Sequence, residues 1–124
     1  MVIATLCLFV LACSLLGSGT NTFIKQKANA SKTIKAILFL KEGGATVPIS
    51  YQVSVIPYNN SLDNDDPGNV FTVDTDHGKT YLDSGSINFT WLSNTILQID
   101  YDKKLRTFIM EQKVDDISVE YKAR

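Results

Sequence analysis

The sequence predicts an all-β protein: an antiparallel meander or small sandwich of about six to seven strands, preceded by an apolar N-terminal helix. Three observations predict it. Behind residue 31, apolar residues recur with period two rather than 3.6, as half-buried strands require. The alternating runs follow one another about every ten residues with turn residues between them, the spacing of a small antiparallel β protein. The opening residues 1–16 (MVIATLCLFVLACSLL) carry no charge and no polar face, unlike anything after them.

Residues 1–19 read as a signal or lipoprotein leader, or as a membrane anchor. The preferred reading is lipidation. Val10-Leu11-Ala12-Cys13-Ser14 places a small residue before a cysteine and a small polar one after it, so Cys13 is the expected acceptor. A cleaved secretory signal would use Gly17-Ser18-Gly19 instead. An uncleaved anchor is the third reading, although the run is short against the roughly 20 apolar residues of a spanning helix. A signal peptide begins with a basic region, whereas the first lysine here is Lys25. By the positive-inside rule that order would leave the following domain in the cytoplasm. The expectation is therefore that a basic segment lies upstream of Met1. A buried helix of the domain itself is the remaining alternative, disfavoured by the missing polar face.

Residues 20–30 are small and polar and are expected to be a tether; the β domain is expected to span 31–124. Ile34-Lys35-Ala36-Ile37-Leu38-Phe39-Leu40 is apolar on both faces, as in a central strand, and Gly43-Gly44 marks the turn after it. Ile49, Tyr51, Val53 and Val55 alternate with Ser50, Gln52 and Ser54 up to Pro57. Residues 58–69 (YNNSLDNDDPGN) form a loop, Val70-Phe71-Thr72-Val73 a short strand, and residues 74–85 a second loop. Ile87, Phe89 and Trp91 alternate with Asn88 and Thr90. Ser93-Asn94 turns the chain into Leu97, Ile99 and Tyr101. Phe108 and Met110 follow, and Asp115-Asp116 turns into Ile117, Val119 and Tyr121. Trp91 on an apolar strand face is expected in the core.

Composition narrows the function. The chain has 124 residues, 44% of them hydrophobic, and a net charge of −1. That is one domain's worth of core, with no basic footprint for nucleic acid. Lys25, Lys27, Lys32, Lys35 and Lys41 have no acid among them and could meet anionic headgroups, although a solvated run is the ordinary outcome. Both cysteines, Cys7 and Cys13, fall in the leader, so the domain has no internal disulfide, thiol nucleophile or cysteine zinc site. Export without disulfides suits a Gram-positive surface.

His77, the one histidine, sits in Asp74-Thr75-Asp76-His77-Gly78-Lys79. An imidazole between carboxylates can bind or move a proton, which makes Asp76, His77 and Lys79 the candidate binding residues. One histidine gives no two-histidine metal set and no catalytic triad by itself. Asp63-Asn64-Asp65-Asp66-Pro67-Gly68 resembles a calcium loop but has Pro67 where an oxygen ligand belongs and Asp74 in place of the bidentate glutamate. No metal and no cofactor is expected. Gly43-Gly44 has no following lysine or helix to cradle phosphate. Asn29, Asn59 and Asn88 head glycosylation triplets that would matter only in a eukaryotic secretory route.

Several blocks are similar to a family of small secreted or lipid-anchored proteins of unknown function, mostly from Gram-positive bacteria. They are Gly43-Gly44-Ala45-Thr46, Tyr51-Gln52-Val53-Ser54-Val55, Gly68-Asn69-Val70-Phe71, Asp76-His77-Gly78-Lys79 and Trp91-Leu92-Ser93-Asn94. The similarity covers roughly residues 36–121. The family pattern has a cysteine where this chain has Gly43, and an Asn-Gly turn near Asp115-Asp116. The resemblance implies an extracytoplasmic β domain and no particular activity. The expected function is a non-catalytic binding module at the cell membrane, lipid-anchored, meeting another envelope protein through its edge strands and loops. The alternatives are a small envelope hydrolase using His77 with Asp74 or Asp76, or a metal or ligand carrier.

Overall fold

The computed structural model describes residues 20–42 and 49–124. The apolar leader with its expected helix, Cys13, and the Gly43-Gly44 turn lie outside the described residues. No helix among the described residues is long and apolar enough to cross a membrane.

The described residues form nine strands: β1 Asn21–Ala28, β2 Ile34–Lys41, β3 Ser50–Pro57, β4 Phe71–Asp74, β5 Ile87–Ser93, β6 Ile96–Tyr101, β7 Arg106–Met110, β8 Lys113–Val114 and β9 Ile117–Ala123. They make two sheets, one ordered β1-β2-β3-β4-β7 and the other β5-β6-β9-β8. The inner faces share a single core, with Ala36, Leu38, Val53 and Phe71 from the first sheet against Ile87, Leu97, Ile99 and Val119 from the second. The Phe71 ring tilts against Tyr101 and Tyr121 at centroid separations of 5.3 and 5.4 Å, a favourable aromatic arrangement. The all-β class holds, and the sandwich form describes it better than the meander.

Three sequence expectations are corrected. Residues 20–30 are not a tether, because residues 21–28 form β1 and pair antiparallel with β2 along its length. Only Phe23 and Ile24 are strongly apolar there, so no alternation betrays the strand. Its lysines reach across to the other sheet: Lys25 Nζ donates to Ser84 O (2.6 Å) and Asn88 Oδ1 (2.9 Å), and Lys27 Nζ to Phe89 O (3.3 Å). Burial lowers the Lys25 pKa, with Arg124 adding to the effect and Asp83 opposing it. Trp91 Nε1 donates to Lys27 O at 2.9 Å and closes this side of the sandwich.

The second correction concerns the C-terminal strands, which are not a simple antiparallel run. β5 and β6 are an antiparallel hairpin, but β6 and β9 are parallel. Parallel neighbours need a long crossover, and β7 supplies it by leaving this sheet to pair with β4 in the other. The third correction is the strand count of nine, which adds β1 and the two-residue β8. The turn at Asp115-Asp116 is present, joining β8 to β9, and Asp115 adopts φ 51°.

Residues 58–69 lie against the outer face of the first sheet rather than waving in solvent. Asn69 Oδ1 accepts from Val55 N (2.8 Å) while its Nδ2 donates to Val55 O (2.9 Å), so one side chain extends the ladder of β3 beyond β4. Gly68 N donates to Gln52 Oε1 at 2.7 Å. A Cβ at Gly68 would stand 2.8 Å from Val53 O and 2.9 Å from Gln52 Cβ, so only glycine fits. Asn21 Nδ2 donates to Asp63 O and Asp66 O, and Lys41 Nζ to Asp65 O, which pins the acidic end.

Candidate functional site

Asp74 ends β4 and lies opposite Ser50 of β3 and Arg106 of β7. Its side chain is only 4% exposed, against 34% for Arg106. Two parallel bonds join them, Arg106 Nε to Asp74 Oδ1 at 3.1 Å and Nη2 to Oδ2 at 2.6 Å. This bidentate geometry is the strongest form of the pair. The hydrogen bonds from Arg106 hold the Asp74 carboxyl below the usual carboxylate range; burial opposes them, and the Asp76 amide and the charges of Arg106 and His77 assist.

The third arm of the guanidinium reaches His77, with Nη1 3.1 Å from the ring Nε2. Arginine has five donors and no acceptor, so Nε2 accepts and the neutral ring carries its proton on Nδ1. Arg106 therefore stands between Asp74 and His77 and binds both. The guanidinium carbon lies 4.8 Å from the Phe108 ring centroid, within cation–π range.

The loop that carries His77 is wound left-handed. Asp76, His77 and Gly78 have φ of 52°, 59° and 81°, a conformation that costs a non-glycine L-residue about 1–2 kcal/mol. Local bonds hold it: Asp76 N to Asp74 Oδ1 (2.8 Å), Gly78 N to Thr75 Oγ1 (3.1 Å), and Thr80 N to Thr75 O (3.2 Å). A second turn follows, in which Gly85 N donates to Asp83 Oδ1 (2.8 Å) and Asp83 N to Ser86 Oγ (3.1 Å). Tyr81 projects between these two braced turns and is 87% exposed.

Of the residues the sequence singles out, Asp74, Asp76 and His77 come together around one guanidinium, and Lys79 stays exposed at the loop tip. No direct Asp74–His77 hydrogen bond forms among the described residues. Arg106 is the residue that sequence reasoning missed. Nothing local marks it, because its role follows from the β4–β7 register. Among the described residues no group of three or more His, Cys, Asp or Glu is placed to hold a metal ion. In the acidic loop, the carbonyls of Asp63, Asp65 and Asp66 already accept from Asn21 and Lys41. Of the glycosylation triplets, Asn29 is 2% exposed and caps the β1–β2 turn through Thr33 and Ile34, whereas Asn59 and Asn88 are exposed. Trp91, expected in the core, is only half-buried and packs against the core's margin.

No family model, curated protein or solved structure matches the chain.

Proposed function

We propose that this protein is a non-catalytic binding module of a bacterial cell envelope, held at the membrane through a lipid on Cys13 and meeting an envelope component through the loop at residues 74–85. The observation that carries the reading is the use of Arg106. It consumes the acceptor positions of Asp74 and His77, which a hydrolase would keep free for a substrate proton, and it spends them on bracing a loop that exposes Tyr81. A general base needs its lone pair within reach of the proton it removes, and here the Nε2 lone pair faces a guanidinium. Exposed tyrosine on a rigid support is the side chain that binding surfaces favour. The uncharged leader and the small residue before Cys13 support the location.

Two measurements test the reading. Metabolic labelling with a palmitate analogue should tag the wild type and miss Cys13→Ser; equal labelling removes the anchor. Binding of the protein to isolated envelopes should fall sharply for Tyr81→Ala while the circular dichroism spectrum stays unchanged. Full binding by that variant removes the loop from the contact surface.

A further inference from the structure

β7 forms the outer edge of the five-stranded sheet, and no described strand pairs with its far side. Natural edges of this kind are usually blunted by lysine, proline or inward charge. Thr107, Phe108, Ile109 and Met110 carry none of these, and the last three are 56%, 40% and 37% exposed. The register against β4 skips one residue, so that Val73 pairs with Thr107 and Thr72 with Ile109, leaving Phe108 as a bulge. A bulge re-aims a side chain. Here Phe108 lies beside the Arg106 guanidinium, on the outer face that Ile109 shares with Thr72, so two adjacent apolar side chains project from one face of the edge.

We infer that the partner of this edge is a second copy of the same strand, laid antiparallel about a two-fold axis between Phe108 and Ile109. The sequence is self-complementary in that register and no other near it. Phe108 falls opposite Ile109 of the partner copy and the reverse, so all four apolar side chains meet on the outer face. Thr107 falls opposite Met110 on the inner face. Arg106 falls opposite the exposed Glu111 at both ends, so within the paired segment opposite charges face one another. A symmetric pair of this kind is an isologous interface, the form that closes without growing into a filament. Shifting the register by one residue sets Arg106 against Met110 and loses the charge match. Six residues per copy, Arg106 to Glu111, make a small interface, at the weak end of specific association, so tethering to one membrane would strengthen it by raising effective concentration. The inference rests on β7 and the adjoining Glu111, and stands whether or not the protein is lipid-anchored.

Disulfide trapping in the full-length protein tests it. Directly opposed residues of an antiparallel pair lie at Cα separations of about 4.5–5.5 Å, within disulfide range. Thr107→Cys and Met110→Cys together should give a covalent dimer on mild oxidation. Either substitution alone should give only the background set by Cys7 and Cys13. Adding Ile109→Lys, at an exposed position, should remove the dimer from the double variant while leaving its melting temperature near that of the parent. A dimer no stronger in the double variant than in the singles overturns the proposal. So does a dimer that survives Ile109→Lys.

Discussion

Replacing Gly68 by alanine adds one methyl group at the point where residues 58–69 press on the first sheet. The added carbon would stand 2.8 Å from Val53 O, 2.9 Å from Gln52 Cβ and 3.0 Å from Val53 N. Two of those three atoms are backbone of the buried strand β3, which cannot swing aside as a flexible side chain would. Overpacking of this kind costs about 1–3 kcal/mol. Pushing the loop outward also stretches the 2.7 Å bond from Gly68 N to Gln52 Oε1, worth about 1 kcal/mol more. The sum is roughly 2–4 kcal/mol, or a fall in melting temperature of about 10–25 °C for a domain of this size. Gly85→Ala is the matched control. Its new Cβ meets only the Asp83 carboxylate, at 3.3 Å, and should cost less than about 0.5 kcal/mol. Thermal and urea unfolding followed by circular dichroism read both variants. A Gly68→Ala melting point within a degree or two of the Gly85→Ala value would refute the packing of this loop.

Two further predictions concern pH. Asp74 has its folded pKa depressed by Arg106. Its contribution is present above the unfolded carboxylate value near 4 and is lost as pH falls through the folded value; Asp74→Asn should therefore lower stability at neutral pH and flatten the acid limb of the stability curve. Tyr121 donates to both Val70 O (3.1 Å) and Glu111 O (2.5 Å), and burial, then the charge of Glu111 and nearby Tyr101, raises its pKa well above the ordinary phenol range. Here the contribution is full below pH of about 10 and is lost as pH rises beyond it. Tyr121→Phe should cost about 1–2 kcal/mol at neutral pH and soften the alkaline limb. Tyr51, also raised by burial, should leave a residual slope in that variant. Denaturant titrations at a series of pH values check both, and parallel pH curves for variant and wild type would contradict either one.

The strands with one face in the core and one in water were legible from sequence, as β5, β6 and β9 illustrate. In each, burial on one side and solvent on the other imposes period two on residue choice. β1 escaped because an edge strand whose lysines bond to the facing sheet has no such constraint. The parallel β6–β9 pair escaped for another reason. Alternation identifies a strand but not its neighbour, and β7 leaves for the other sheet through its pairing with β4. The acidic and histidine cluster at residues 74–79 was visible as a concentration of titratable groups. Its arrangement was not, since Arg106 lies 32 residues away from Asp74 and reaches it through strand register alone.

The tautomer of His77 tests most directly whether Arg106 holds the loop. This is the one histidine in the chain, so long-range nitrogen–proton correlation spectra of the imidazole need no assignment by mutagenesis. In the neutral ring, a guanidinium donating to Nε2 requires the ring proton on Nδ1. Arg106→Lys should move it toward the Nε2-protonated form that free imidazole prefers. A wild-type ring already protonated on Nε2 would contradict the clamp, and with it the argument that His77 braces a surface instead of serving a reaction.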